Sequence, residues 1–409
     1  MKIFFTILVL TLFASSTLAQ NINLNQGQGS IKQKRYLQKI PYQIKGEHLI
    51  VVPVIINGKT YNFLFDTGAS LTISDKLFKE LNLPIIGQEE IIDAEGAKKE
   101  MKFILLPMLQ LQEITFVHTV GTVHHEESSD FVNLFECYGI DGTIGSDMFR
   151  NSVVQFDEQS KHIIITDDFK RIAVKKTKYH GLQMEFHGQS SPFIWVGIIK
   201  GEQKTSDMKV LFDTGEPSLY VMSINAYDWF SERGDIADKI AESEGSYAWG
   251  VHGNFEKQKH LLLNIPELRV SGKSFKDVVI STTNLPFSRI GFRLLQHGKV
   301  TLDYKKKRFI YEPFDGVDPD KLSARPLAIF PTWQNNKLVV GIIWDKALEG
   351  KINLGDEILN IDGLNIENMA LCDYMNLEGF FHETFTNQRI LELRDIKTGE
   401  VKKIEIKRL

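Results

Sequence analysis

"FLFDTGAS" occupies residues 63–70, and "VLFDTGEPS" occupies residues 210–218. Both stretches carry Asp-Thr-Gly directly after a short apolar run, and the two aspartates lie 147 positions apart (213 − 66). A single triplet of this kind is most simply a turn that follows a strand. Two copies in matching surroundings indicate an internal duplication, and the flanking residues decide how far it extends.

The duplication continues on both sides of the triplets. Upstream, "LIVVPVIINGKTYNF" from residue 49 and "FIWVGIIKGEQKTSDMK" from residue 193 each predict a β-hairpin whose second strand ends at the aspartate. Downstream, "IGSDMFRNSVVQFD" from residue 144 aligns without a gap with "IGFRLLQHGKVTLD" from residue 290, at an offset of 146 (290 − 144). Nearly equal offsets over this length predict duplicated domains rather than a solenoid, whose repeats span roughly 20–50 residues.

The overall composition is that of a globular protein. The chain has 409 residues, of which 43% are apolar and 24% charged, so two or three domains are expected. The net charge of −4 gives no basic surface for nucleic acid. We therefore predict no nucleic-acid partner.

The N-terminus predicts export. Residues 1–19 combine a lysine, an apolar run and a small-residue cleavage pattern at Thr17-Leu18-Ala19, as in a secretory signal peptide. The alternative, a membrane anchor, is disfavoured because the run is shorter than the ~20 residues that a span needs. The mature chain is then periplasmic or secreted, without a stable membrane anchor, and begins with a polar leader over residues 20–40.

The chain has two cysteines, Cys137 and Cys372. Two cysteines in an exported chain of this length do not form a disulfide scaffold, so the cores must be held by packing. The two positions fall in different predicted domains, and the sequence leaves open whether they pair.

Paired Asp-Thr-Gly triplets have a specific chemistry. Two carboxylates brought together at partly desolvated strand ends cannot easily both ionise, and so they share a proton. The ionised member can then draw a proton from water while the protonated member donates to the carbonyl under attack. This chemistry needs neither a metal nor another cofactor, and none is predicted.

On these motifs the sequence resembles the pepsin and retropepsin families of aspartic proteases, over roughly residues 45–315. The resemblance implies an aspartic-type endopeptidase acting on polypeptide substrates, with Asp66 and Asp213 as its catalytic pair. It also implies supporting and flap residues: Thr67 and Thr214 as interlocking hydroxyls, Gly68 and Gly215 in the tight turns, and candidate flaps around Glu95-Gly96 and Trp249-Gly250.

The second motif departs from the family pattern. Glu216 adds a third carboxylate beside the pair and is a candidate modulator, because its charge would favour retention of the shared proton. Pro217 removes a backbone donor. The alternative function is therefore a catalytically inactive peptide-binding protein on the same fold.

A third pattern begins near residue 322. "GDEILNIDG" at residues 355–363 resembles the signature of PDZ domains, which bind extended peptides, often C-termini, at a sheet edge. The predicted architecture is mostly β, with two duplicated aspartic-protease lobes that meet at the aspartate pair (residues 41–169 and 170–320), followed by a small PDZ-like α+β domain (residues 322–409).

Two charged segments have simpler interpretations than binding sites. "HHEE" at residues 124–127 lacks a metal-binding spacing and a third ligand, and it is interpreted as a solvated loop. "YKKKR" at residues 304–308 corresponds to the charged turn after Asp157 in the repeat. It predicts a hairpin turn rather than a nucleic-acid patch.

Overall fold

The computed structural model describes residues 29–92, 98–124, 134–174, 179–181, 183–184, 190–201, 205–234, 236–246, 249–250, 253–254, 257–316, 325–377 and 387–409. The predicted signal peptide and the first part of the leader lie outside these residues. Among the helices that the structure describes, none is both long and apolar enough to span a membrane.

The first lobe is built from strands that follow one another mostly by hairpins. Its elements are β1 (Ser30–Ile31), β2 (Leu37–Pro41), β3 (Gln43–Lys45), β4 (Leu49–Ile56), β5 (Lys59–Asp66), β6 (Thr72–Ser74), α1 (Asp75–Leu81), β7 (Ile85–Ile92), β8 (Lys98–Leu111), β9 (Ile114–His124), α2 (Leu134–Tyr138), β10 (Gly142–Gly145), β11 (Val153–Asp157) and β12 (His162–Thr166). The order β9-β6-β10-β5-β4-β8 closes on itself because β8 also pairs with β9.

The second lobe repeats this arrangement. Its elements are β13 (Tyr179–Gly181), β14 (Gln183–Met184), β15 (Pro192–Ile199), β16 (Thr205–Phe212), β17 (Tyr220–Ser223), α3 (Ile224–Ser231), β18 (Asp238–Gly245), β19 (Trp249–Gly250), β20 (Gly253–Asn254), β21 (Gln258–Val270), β22 (Lys273–Thr283), β23 (Arg289–Ile290), α4 (Arg293–Gln296), β24 (Gly298–Asp303) and β25 (Arg308–Pro313). The order β22-β17-β23-β16-β15-β21 closes on itself because β21 also pairs with β22. The two closed sheets match strand for strand, so the predicted mostly β class with two duplicated lobes is confirmed.

Local sequence signals explain several of these elements. The β4–β5 hairpin turns at Asn57-Gly58, whose φ angles of 52° and 78° suit a two-residue turn of type I′. Helix α1 starts after Ser74, because the Ser74 hydroxyl accepts a hydrogen bond from the Leu77 amide at 3.1 Å and so caps the helix. The "YKKKR" segment forms the turn between β24 and β25, although Tyr304 itself is buried.

A separate sheet joins the lobes in the order β13-β25-β24-β11-β12-β2. Its centre is the antiparallel pair β11–β24, with Val154 opposite Leu302. Each half of the sheet contributes the same elements of the repeat, so the two halves are related by a pseudo-twofold axis between β11 and β24. Beneath it, the rings of Phe156 and Phe212 pack edge to face at 6.3 Å.

Part of the predicted polar leader, residues 20–40, belongs to the folded structure. Strand β2 pairs with β12 at the edge of the joining sheet, and Ile40 is fully buried there. The Tyr36 hydroxyl is 2.8 Å from that of Ser152. From Ser30 onward the leader is therefore part of the fold, because an otherwise exposed strand edge of β12 gains a backbone partner.

The C-terminal module has its own core. Its elements are β26 (Ile329–Gln334), β27 (Lys337–Ile343), β28 (Glu357–Ile361), β29 (Leu364–Asn365), α5 (Leu371–Asn376), β30 (Gln388–Arg394) and β31 (Val401–Lys407). The sheet order is β26-β27-β28-β30-β31, with β29 beside β28. This is the α+β arrangement that the sequence predicts, and the PDZ likeness itself stays a prediction.

The module is fixed to both lobes. On the second lobe, Leu262 packs with Ile342 and Trp344 of the module, and the Ile343 amide donates to the Ser243 hydroxyl at 3.3 Å. Its α5 packs against α2 of the first lobe. There, Cys137 and Cys372, whose pairing the sequence left open, form a disulfide between the two helices.

Candidate active site

The first aspartate stands at the end of β5. Phe63 and Phe65 of this strand are buried in the core, which anchors the strand and leaves Asp66 at its exit. Strand β10 runs parallel to β5 with Gly145 opposite Asp66. A Cβ atom on Gly145 would come within 2.3 Å of the Ala69 carbonyl oxygen, so only glycine lets the loop after Asp66 lie over β10.

The second aspartate is held in the same way. Strand β16 ends at Phe212, and β23 runs parallel to it with Ile290 opposite Phe212. The Asp213 amide then donates to the Ile290 carbonyl at 2.9 Å. Two equivalent strand ends therefore deliver two carboxyl groups to the interface between the lobes.

The glycines of the triplets bring the carboxyl groups together. Each aspartate accepts a hydrogen bond from its own loop, at 2.8 Å from the Gly68 amide and 2.9 Å from the Gly215 amide. A Cβ atom on Gly68 would lie 2.6 Å from Cγ of Asp213, and one on Gly215 would lie 2.6 Å from Oδ2 of Asp66. Each carboxyl group thus packs on the opposite glycine, which brings the two carboxyl groups together.

The threonines of the triplets cross the interface. The Thr67 hydroxyl donates to the Phe212 carbonyl at 2.7 Å and accepts from the Thr214 amide at 3.0 Å. The Thr214 hydroxyl makes the mirror-related pair, to the Phe65 carbonyl at 2.9 Å and from the Thr67 amide at 3.0 Å. Both side chains are buried. This network fixes the relative position of the two aspartate loops.

The electrostatics favour a shared proton. Burial raises the pKa of Asp66 well above its ordinary value, and the adjacent Asp213 raises it further. Burial also raises the pKa of Asp213, but the Arg289 guanidinium opposes that rise. The pair therefore holds one proton into the range where isolated carboxyl groups have lost theirs, and the proton belongs to the pair rather than to one residue.

Sequence reasoning missed two residues beside the pair. Arg289 forms an ion pair with Glu216, with Nη2 and Oε2 3.2 Å apart. His48, in the turn between β3 and β4, lies near Glu216 and the Gly215 backbone, and burial lowers its pKa to about 4. The internal repeat could have pointed to Arg289, because the first lobe has an uncharged residue, Thr143, at the corresponding position.

Another buried carboxyl group, that of Asp147, supports the loop that follows Asp66. Asp147 is fully buried, and its Oδ1 accepts from the Leu71 amide at 3.1 Å. Its Oδ2 has no hydrogen-bond partner among the described residues. Burial raises the pKa of Asp147 to about 7. Through its hydrogen bond to the Leu71 amide, this group braces the loop.

The candidate flaps are only partly described. Glu95 and Gly96 lie outside the described residues, between β7 and β8, which pair as the predicted strands. Trp249 and Gly250 form β19, which pairs with β20 in a short hairpin. That hairpin contacts β26 of the C-terminal module.

A metal site was the alternative interpretation of the "HHEE" segment at residues 124–127. The predicted solvated loop is wrong for His124, which is buried at the end of β9, while residues 125–127 lie outside the described residues. Within the described ranges, no group of three or more His, Cys, Asp or Glu side chains is placed to hold a metal ion.

Comparison with known proteins gives a partial match. A family model described as aspartyl protease matches residues 52–148, which include Asp66 and Gly145. No curated protein sequence matches the chain. Among solved structures, the chain is similar to an aspartic proteinase from Irpex lacteus at 13% identity and a TM-score of 0.40, over 70% of this chain and 100% of that chain. The family match supports an aspartic-protease-like fold and, in general terms, protease function.

Proposed function

We propose that the protein is an aspartic endopeptidase that hydrolyses peptide bonds with a water molecule activated between Asp66 and Asp213. One observation carries the proposal: each carboxyl group packs against the glycine of the opposite triplet, at the junction of two duplicated strand ends. Such a pair offers a base and an acid at one point, which is the requirement for attack of water on a carbonyl.

The reaction follows from the shared proton. The ionised carboxylate removes a proton from water as the water oxygen bonds to the carbonyl carbon, and the protonated carboxyl group donates to the carbonyl oxygen. The resulting tetrahedral diol then collapses: the C–N bond breaks, and the carboxyl group that gained the water proton gives it to the leaving nitrogen. The other carboxylate takes a proton from one diol hydroxyl, which leaves a carboxylic acid product and restores the single shared proton. The crossed threonines serve the reaction by keeping both loops in register, since small displacements of reacting groups cost large factors in rate.

Glu216 also bears on the alternative of an inactive peptide-binding protein. That alternative rested on an additional carboxylate beside the pair. Because Glu216 forms an ion pair with Arg289 at 3.2 Å, its negative charge beside the aspartates is accompanied by a positive one. The geometry therefore favours the enzyme.

The decisive experiment is cleavage of a denatured protein mixture across pH 3–8 by the purified protein, with the cut sites identified by mass spectrometry. The matched control is Asp213→Asn, which keeps the size of the side chain and removes the shared proton. Cuts that appear with the wild type and disappear with the variant support the proposal. Identical cuts from both proteins would assign them to a contaminant and contradict it.

For the C-terminal module we propose peptide recognition of the PDZ type, for a substrate or a partner. Its support is the GDEILNIDG segment with the strand and helix order around it. Since deletion of the module would expose Leu262 and leave Cys137 without its partner, the test uses the full chain. We expect the Asp213→Asn protein to bind peptides with a free C-terminus more tightly than the same peptides amidated. Equal binding, or none, would make the module a brace between the lobes.

We also propose export to the periplasm or the cell exterior. The support is the signal-peptide pattern of residues 1–19 together with the Cys137–Cys372 disulfide, because disulfides persist in oxidising compartments. Fractionation of producing cells, followed by N-terminal sequencing of the recovered protein, tests it. A chain that remains inside the cell and begins at Met1 would refute it.

A further inference from the structure

The two lobes differ in charge at two pairs of equivalent positions beside the aspartates. The Ala69 carbonyl accepts from the Ser146 amide at 3.1 Å, and in the second lobe the Glu216 carbonyl accepts from the Phe292 amide at 2.7 Å. The backbones are thus equivalent, yet the second lobe carries glutamate where the first carries alanine. In the same lobe, arginine stands at position 289 where the first lobe has threonine.

These two departures compensate each other. Nη2 of Arg289 is 3.2 Å from Oε2 of Glu216, and the two side chains are only 18% and 11% exposed. Oε1 of Glu216 accepts from the Ser218 amide at 3.1 Å. The glutamate stem lies against Gly291, where a Cβ atom would come within 2.8 Å of its Cγ. The ion pair is therefore built into the strand and loop rather than exposed to solvent.

The ion pair lies within electrostatic reach of the aspartates. The Arg289 charge lowers the pKa of both Asp66 and Asp213, and the Glu216 charge raises that of Asp213. His48 also faces Glu216, but burial keeps it neutral above about pH 4. Of these groups, the only cation that acts on the aspartates above that pH is the guanidinium.

We infer that Arg289, held in place by Glu216, is a positioning residue that keeps the Asp66–Asp213 pair in its singly charged state. The inference rests on the proposed catalytic use of that pair. Two buried carboxyl groups without a nearby cation would hold both protons to higher pH, and the base needed to activate water would be lost. The guanidinium extends the singly charged form to lower pH, while Glu216 limits that extension and fixes the orientation of the arginine.

The test is a double-mutant cycle read as the pH dependence of kcat/KM. Arg289→Met should move both limbs of the profile to higher pH by about 1 unit, as expected for loss of an opposite charge near a carboxyl group. Glu216→Gln should move both limbs to lower pH, and the double variant should return close to wild type. Arg289→Lys, which keeps the charge, should restore most of the wild-type profile.

The matched control is Arg269→Met. Arg269 also pairs with a glutamate, Glu267, at 2.8 Å in the same lobe, but at an exposed position. Its removal should leave the profile unchanged. If Arg289→Met lowers the rate without moving either limb, or if Arg269→Met moves the limbs as far, the inference is wrong and the proposed protease function still stands.

A second readout does not require cleavage. The pH dependence of the urea-unfolding free energy should shift in Arg289→Met relative to wild type, but not when the same change is made in an Asp66→Asn/Asp213→Asn background. If neither the wild type nor any variant cleaves peptides but this shift is present, the proposed protease function is wrong and the inference stands. Absence of the shift overturns the inference whatever the activity.

Discussion

Replacing Thr214 with valine tests how the two lobes hold the aspartate loops together. Valine keeps the shape of the side chain and removes the hydroxyl. The Phe65 carbonyl then loses its donor at 2.9 Å, and the Thr67 amide loses its acceptor at 3.0 Å. A buried group left without its partner costs about 1–3 kcal/mol. Two such groups in a fully buried site should lower the free energy of unfolding by about 2–6 kcal/mol.

The assay is urea unfolding followed by tryptophan fluorescence, with peptide cleavage measured in parallel. Thr214→Ser keeps the hydroxyl and should lose only the contribution of one methyl group, about 0.8 kcal/mol. Thr119→Val is the matched control, because Thr119 is buried but its hydroxyl has no hydrogen-bond partner among the described residues. It should not lower the free energy of unfolding, because valine removes a buried hydroxyl that has no partner to lose.

Activity should fall more steeply than stability. Without the crossed hydrogen bonds the two loops can shift relative to each other, and we expect kcat of Thr214→Val to drop by about 100-fold with a smaller change in KM. The reasoning is refuted if Thr214→Val costs no more stability than Thr119→Val. It is equally refuted if the serine variant behaves like the valine variant, because the hydroxyl would then be irrelevant.

Three further predictions concern charge and covalent linkage. Asp66→Asn and Asp213→Asn should each abolish turnover while the protein stays folded, and the wild-type profile of kcat/KM against pH should be bell-shaped; full activity in either variant would remove the aspartate pair from the mechanism. Asp147 has a pKa raised to about 7 in the folded state, so its contribution to stability is present at low pH and lost as the pH rises through that value. Asp147→Asn should therefore be more stable than wild type at pH 8, by up to about 4 kcal/mol in urea unfolding, and equal stability at pH 8 would contradict the buried charge. Replacing Cys137 and Cys372 together with serine should lower the free energy of unfolding by about 2–4 kcal/mol, and an unchanged urea midpoint would show that the disulfide does not constrain the chain.

Much of the fold and half of the candidate site could be predicted from local patterns. The Asn57-Gly58 turn and the Ser74 cap are set by the conformational preferences of a few adjacent residues. The pairing of Asp66 with Asp213 was also predictable, because a duplication implies that equivalent strand ends meet at a pseudo-twofold axis. The sequence alone thus determined the duplicated β architecture, the two triplets and the separate C-terminal module.

Other features depend on contacts between residues far apart in the chain, which no local pattern records. Arg289 comes next to Glu216 only when β23 is placed beside β16, and Cys137 meets Cys372 only when the module packs across both lobes. Ile40 joins the core because β12 offers a free strand edge, although the polar residues Gln38 and Lys39 precede it. The tertiary structure alone decided these pairings, since each depends on burial and distance, and these are properties of the packed lobes rather than of any segment.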